Sequence, residues 1–238
     1  MSRHDGRQND ELRQVDFKPG IVKNASASVL SVCGNTEVIC TVSVVPGVPG
    51  WMKAQGVPGG WLTSEYAMLP GSTHTRVRRE NNNGPSGRSS EIQRLIGRSL
   101  RSVVSLEKLG ENTVYVDCDV LNADGGTRCA SINGASAALN LAFKKMLAAG
   151  ELEESPMSER VAAISVGIHK GEAILDLCYL EDSSAEVDMN VVMSSAGELI
   201  EVQGTAEGKT FSRAELNTML DLAEKGINEI FEIQNKIL

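Results

Sequence analysis

The chain has 238 residues, of which 41% are hydrophobic and 23% charged, the make-up of an ordinary globular protein with ample length for a core. No run of eighteen apolar residues is present and the start, MSRHDGRQND, has no apolar stretch, so neither a membrane span nor a secretory signal is expected. The net charge of −8 argues against a uniformly basic nucleic-acid binder, and the five cysteines (33, 40, 118, 129, 178) form no CxxC pair, which points to reduced, packed thiols in a cytoplasmic protein rather than a thiolate metal cluster.

In chain order, residues 1–20 read as polar and irregular. Ala27 to Cys33 and Thr36 to Val45 read as strands around Gly34-Asn35, a two-residue hairpin signal. Glycine and proline crowd 46–60 and recur in NNNGPSG at 81–87, so both read as loops. Ser90 and Gln93 have capping-box spacing before a helix whose apolar positions are 92, 95, 96, 100, 103 and 104. Arg94, Arg98 and Arg101 share another face of it. Thr113 to Leu121 alternates as a strand, and Cys129 to about Ala149 is rich in helix formers. Strands are expected at 161–168, 172–180, 186–194 and 198–203, and an amphipathic helix from Ser212 to Ile237. Two rounds of hairpin then helix, without a linker, make one α+β domain over 1–238.

Charge is unevenly distributed. From Arg76 to Arg101 there are seven basic residues (76, 78, 79, 88, 94, 98, 101) and two acidic ones (Glu80, Glu91), a local balance of +5 that leaves −13 elsewhere. A basic patch inside an acidic shell suits a polyanion.

Two constellations carry chemistry. The turn DGGTR at 124–128 joins a strand to a helix, where glycines admit a close ligand and helix N–H groups attract anions. Arg128 adds a fork of donors, and Arg88, just before the Ser90 cap, offers a second guanidinium beside a helix start. The spacing admits a phosphate site and two unrelated surface arginines equally. In EDSSAEVDMNVVM, Asp182 and Asp188 are an even number of residues apart, so a continuous strand places both on one face with Asn190, a pair suited to Mg²⁺ or to solvent. Asp176 shares the parity. Val187, Met189 and Val191 then point to the core. His4, His74 and His169 have no partner at telling spacing, and no GxGxxG or Walker sequence occurs. Trp51, Trp61 and Tyr66 divide between base stacking and core packing.

With these residues laid out, the chain resembles the bacterial ribonuclease PH family of phosphorolytic exoribonucleases. The blocks are RHDGRQNDELR (3–13), GWLTSEYAMLPGSTHTR (60–76), GRSSEIQRLIGRSLR (87–101), DCDVLNADGGTR (117–128), EDSSAEVDMNVVM (181–193) and EVQGTAEG (201–208). The resemblance implies a ribosomal-protein S5 domain 2-like βαβ sandwich, a homohexameric ring of dimers, and phosphate-dependent 3′→5′ trimming of tRNA precursors with release of nucleoside diphosphates. It implies Arg88, Gly126, Thr127 and Arg128 as the phosphate site and Asp182 and Asp188 as catalytic carboxylates holding Mg²⁺. Arg76, Arg78, Arg79, Arg94 and Arg98 would then line the RNA path. Departures at Gln14, at 54–60 and at Gly71 fall on the RNA path and subunit surfaces. Relatives of this fold also serve as non-catalytic RNA-binding ring subunits. The presence of both arginines and both aspartates favours the enzyme.

Overall fold

The computed structural model describes residues 3–80 and 84–238. Asn81 to Asn83 of the expected second loop lie outside the described residues. Among the described residues, nine strands form two sheets. The first, in the order β1-β2-β3-β5-β4, comprises β1 (Val15–Pro19), β2 (Ala27–Cys33), β3 (Thr36–Pro46), β4 (Trp61–Met68) and β5 (Asn112–Asn122). Only β4 against β5 is parallel, the other pairs being antiparallel. The second sheet is antiparallel, in the order β7-β6-β8-β9: β6 (Val161–His169), β7 (Glu172–Leu175), β8 (Val187–Ser194) and β9 (Leu199–Ala206). The helices are α1 (Gly50–Gln55), α2 (Gly87–Arg101), α3 (Thr127–Ala148), α4 (Tyr179–Asp182) and α5 (Arg213–Asn235).

The central element is α3. It packs on β2 and β3 from one side and on β6 from the other. Burial all round explains its run of Ala, Ser and Gly in place of an amphipathic stripe. At Gly134 a Cβ would meet Cys40 Sγ at 2.6 Å and Ser31 Cβ at 2.7 Å, so only glycine lets the helix approach the first sheet this closely. Alternation on β5 sends Val114, Val116, Cys118 and Val120 inward and exposes Tyr115 and Asp119. On the second sheet, Asn190 faces α3, where Cys129 Sγ donates to its Oδ1 at 3.3 Å. Met189 and Leu175 face the other way, with Leu175 against Gly226 of α5. One large apolar core therefore runs through both sheets, with Ile174, Leu177 and Ala185 in a small cluster of their own.

Several expectations change. The polar start contains β1, and β4, whose side chains at 62, 64 and 66 are buried, went unread. The 46–60 loop contains α1. Helix α2 opens at Gly87 because Ser86, not Ser90, accepts from the Ser89 N–H at 3.1 Å, and it ends at Arg101, before Val103 and Val104. The expected 172–180 strand stops at Leu175. Asp176 turns into the left-handed region (φ 55°), and the chain then forms α4. Asp182 therefore ends a one-turn helix and does not lie on the strand that carries Asp188.

Candidate active site

The strand-to-helix turn after β5 depends on two left-handed glycines, Gly125 (φ 76°) and Gly126 (φ 68°). A Cβ at Gly125 would lie 2.7 Å from Leu177 O and 2.8 Å from Tyr179 N, so glycine presses the turn against the backbone that leads into α4. Thr36 Oγ1 donates to Gly125 O (2.7 Å) and accepts from the Asp124 N–H (3.0 Å), while Arg13 Nη1 donates to Asp124 O at 2.6 Å. Gly126 is the N-cap of α3 and brings no side chain to its first N–H groups. They keep the capacity and the dipole to bind an anion. Thr127 is 6% exposed, its hydroxyl 3.0 Å from that of Tyr66.

Arg128, also in this first turn, donates to Gln203 Oε1 at 2.8 Å and lies 3.4 Å from Glu91 Oε1. Arg88 is exposed, in the first turn of α2. The carboxylates opposite feel both. Asp188 is pushed up to about 6, chiefly by burial and next by the neighbouring Asp182 and by Glu207, against the pull of Arg128 and Arg88. Burial also raises Asp182, with Glu207 adding to the shift while Arg88 and Arg128 oppose it. The fold thus gathers Arg88, Arg128, Asp182 and Asp188, which are far apart in sequence, into one electrostatic neighbourhood. Glu91, Gln203 and Glu207 belong to it as well. All three lie within blocks that carry the family resemblance, but no spacing singles them out: Glu91 comes from α2, and Gln203 and Glu207 from β9 and the residue that follows it.

Behind Asp182 lies a buried ion network that sequence reasoning did not foresee. Arg3 grips Glu181 with Nε (2.7 Å to Oε1) and Nη2 (2.5 Å to Oε2), and also donates to the carbonyls of Leu175 (2.7 Å) and Asp176 (2.9 Å). Arg13 holds Asp176 through Nε (2.9 Å) and Nη2 (2.6 Å), with its own N–H adding a 2.8 Å bond. Burial would raise Glu181, yet the bonds from Arg3 and the Cys178 N–H hold it at about 2. The same competition leaves Asp176 below the usual carboxylate range. Asp176, 1% exposed, is therefore a structural anchor.

His4, which has no partner at telling spacing in the sequence, is brought beside a sulfur by the fold. Its Nδ1 lies 3.8 Å from Cys178 Sγ and 3.9 Å from Glu181 Oε1. The three side chains could offer ligand atoms to a metal, but the Arg3 fork already occupies both Glu181 oxygens. All five cysteines are free thiols.

Of the arginines expected on an RNA path, Arg76, Arg78 and Arg79 are exposed on the segment between β4 and α2, and Arg94 on α2. Among the described residues, these four and Arg88 make no ion pair, although Arg79 is close enough to Asp119 to draw its carboxyl down against the upward push of burial. Arg98 instead pairs with Glu201 at 2.8 Å. Arg101 stacks over Trp61 (5.1 Å) and donates to Leu62 O. Trp61 meets Trp51 edge-on at 5.2 Å and Tyr66 is buried, so the rings of Trp61 and Tyr66 are engaged within the fold.

With this geometry in place, comparison with known proteins becomes informative. The chain matches the two domains of the 3′ exoribonuclease family, the first over residues 11–144 and the second over 159–226. It is 54% identical to Ribonuclease PH of Bacillus subtilis (strain 168), covering 99% of this chain and 96% of that protein. The fold is similar to that of rice (Oryza sativa) Rrp46, with a TM-score of 0.77 at 20% identity over 99% of this chain and 97% of that one. It is likewise similar to a chain of the Archaeoglobus fulgidus exosome with RNA bound to the active site: TM-score 0.79 at 24% identity, over 97% of this chain and 92% of that one. The chain belongs to the 3′ exoribonuclease family, in its phosphate-dependent ribonuclease PH group.

Proposed function

We propose that this protein trims tRNA precursors from the 3′ end by phosphorolysis, with Arg88, Gly126, Thr127 and Arg128 holding the attacking phosphate. The observation that carries the residue assignment is the convergence of two guanidiniums and an uncapped helix N-terminus on a pair of half-buried carboxylates.

An oxygen of inorganic phosphate attacks the terminal phosphodiester, and the bond from phosphorus to the preceding 3′ oxygen breaks. A nucleoside diphosphate leaves, and the shortened RNA takes up a proton at its new 3′ hydroxyl. Two anions must meet for this. At about 4 Å and an effective dielectric near 20, each pair of unit charges repels by roughly 4 kcal/mol. Two guanidiniums and a helix dipole offset a penalty of that size. Because phosphate is the nucleophile, no activated Ser, Cys or His is needed.

The carboxylates suit Mg²⁺. They are hard oxygen donors, and both are raised by crowding and burial, a penalty that a divalent cation relieves. Asp182 and Asp188 would hold the ion, which would supply positive charge for the developing 3′ oxyanion. Arg76, Arg78 and Arg79, exposed between β4 and α2, and Arg94, exposed on α2, would carry the RNA backbone, whereas Arg98 is committed to Glu201. We read residues 1–238 as one folding unit, a reading supported by the shared core, and expect a homohexameric ring. Among the described residues, no helix is long and apolar enough to cross a membrane.

The test is a tRNA carrying a few extra 3′ nucleotides, incubated with and without phosphate and Mg²⁺. Nucleoside diphosphates released only when both are present are the expected result. Arg128→Ala should raise the KM for phosphate by about tenfold or more, the scale of one lost charged hydrogen bond, while RNA binding changes little. Equal loss of both would remove Arg128 from the phosphate site.

A further inference from the structure

Two solvent-facing rings sit beside this site, and neither has a part in the chemistry above. Tyr179 opens α4 and is 50% exposed. Its ring lies against that of His74, with centroids 6.4 Å apart and planes tilted by 54°. His74 is itself exposed, on the segment that leaves β4 and carries Arg76, Arg78 and Arg79.

The backbone of Tyr179 belongs to the opposite wall. Its N–H donates to Asp124 Oδ1 at 3.3 Å and lies 2.8 Å from the space a Gly125 Cβ would need. Asp182 follows three residues later, so the two side chains are neighbours on the single turn of α4. The ring pair therefore bridges the unpaired arginines and the phosphate turn with its carboxylates.

A half-exposed tyrosine forgoes much of the burial that an aromatic ring normally gains. Among the described residues, its one ring contact is His74. The cations along the adjoining segment select a polyanion, and every nucleobase has a face that stacks on an aromatic ring whatever its sequence. We propose that Tyr179, with His74 against it, is a stacking platform for a nucleobase of the RNA 3′ end, seating that end for phosphorolysis. The inference rests on the exoribonuclease reading above.

The experiment uses an oligoadenylate with 2-aminopurine at its 3′ terminus, added to the whole protein in phosphate-free buffer. Binding should quench the fluorescence. Tyr179→Phe should keep the quench and Tyr179→Leu should lose it, with the KM for RNA raised about tenfold or more and the KM for phosphate little moved. Should the leucine variant fold poorly, Tyr179→Trp, with a larger ring, is expected to bind at least as tightly as the wild type. Quenching that persists in a folded Tyr179→Leu, weaker binding by Tyr179→Trp, or an altered oligomeric mass in Tyr179→Leu overturns the platform. Absent quenching in a wild type that still releases nucleoside diphosphates defeats the platform alone. Absence of both defeats the exoribonuclease reading too.

Discussion

At residue scale the most informative group is Asp188, because its environment works against its charge. An aspartate in the unfolded chain ionises near 3.8, whereas in the fold burial, Asp182 and Glu207 push this one up to about 6. The native state therefore binds more protons than the unfolded state between those values, so stability falls as pH rises through that window. The cost persists at higher pH. Removing the charge should relieve it: Asp188→Asn should melt at a higher temperature than the wild type at about pH 8 in chelator, and the gap should close near pH 4. Turnover should be lost in the same variant. Added Mg²⁺ should then raise the wild-type Tm at about pH 8 and move the variant less, since a ligand that binds the native state stabilises it. A variant that melts lower at about pH 8 would mean that the carboxylate is held by a favourable partner and is not poised for a cation. Thermal scans at the two pH values, with and without Mg²⁺, decide between them.

At the scale of elements, the N-terminal segment acts as a strap. Arg3 and Arg13 pin it to Glu181 and Asp176, which flank the start and finish of the link from β7 to α4, and Asp182 is the next residue after Glu181. Both partners of the Arg3–Glu181 pair are almost fully buried, so deleting Arg3 leaves Glu181 with the longer contact to Arg7 Nη2 (3.6 Å) and the Cys178 N–H. Arg3→Ala is expected to cost about 3–5 kcal/mol in denaturant unfolding, and Arg3→Met combined with Glu181→Leu to recover most of it. Equal loss in the single and double variants would show that packing, not the ion pair, is at stake. Because Glu181 and Asp176 are held low, their stabilisation is complete above the ordinary carboxylate range and is lost as pH falls through it towards about 2. None of this was legible in the sequence. Composition revealed α3, which is buried nearly all round, and periodicity revealed β2, β3, β5 and α5, whose faces are regular. It missed β1 and β4, which lie at the sheet edges, and extended β7 through Asp176 to 180. A carboxylate captured by an arginine more than 160 positions away leaves no local trace. The glycine turn was legible because its requirement is local: Gly125 and Gly126 must be left-handed wherever the rest of the chain goes. The pairing of Asp182 with Asp188 was reached through a continuous strand that does not exist. The two carboxylates meet because α4 folds back toward β8, not because of strand parity.

For the molecule as a whole, the balance of −8 conceals a division of labour among its arginines. Arg3 and Arg13 hold the strap, Arg98 is spent on Glu201, and Arg101 covers Trp61. Within the basic segment 76–101, Arg76, Arg78, Arg79 and Arg94, with Arg88, are then the exposed cations that an RNA backbone would meet. Each phosphate neutralised on a single strand contributes about −0.7 to the slope of log affinity against log salt. If three to five of these arginines take phosphates, the slope should lie between about −2 and −3.5. Arg78→Ala or Arg79→Ala should each make it shallower by up to about 0.7. Arg98→Ala should leave it nearly unchanged, because a guanidinium that stays on Glu201 neutralises no phosphate and releases no condensed counterion. Oligoadenylate titrations across a salt series, without phosphate so that nothing is consumed, give all the slopes directly. A full-sized change from Arg98→Ala would return that residue to the RNA path and show that its ion pair opens when nucleic acid arrives.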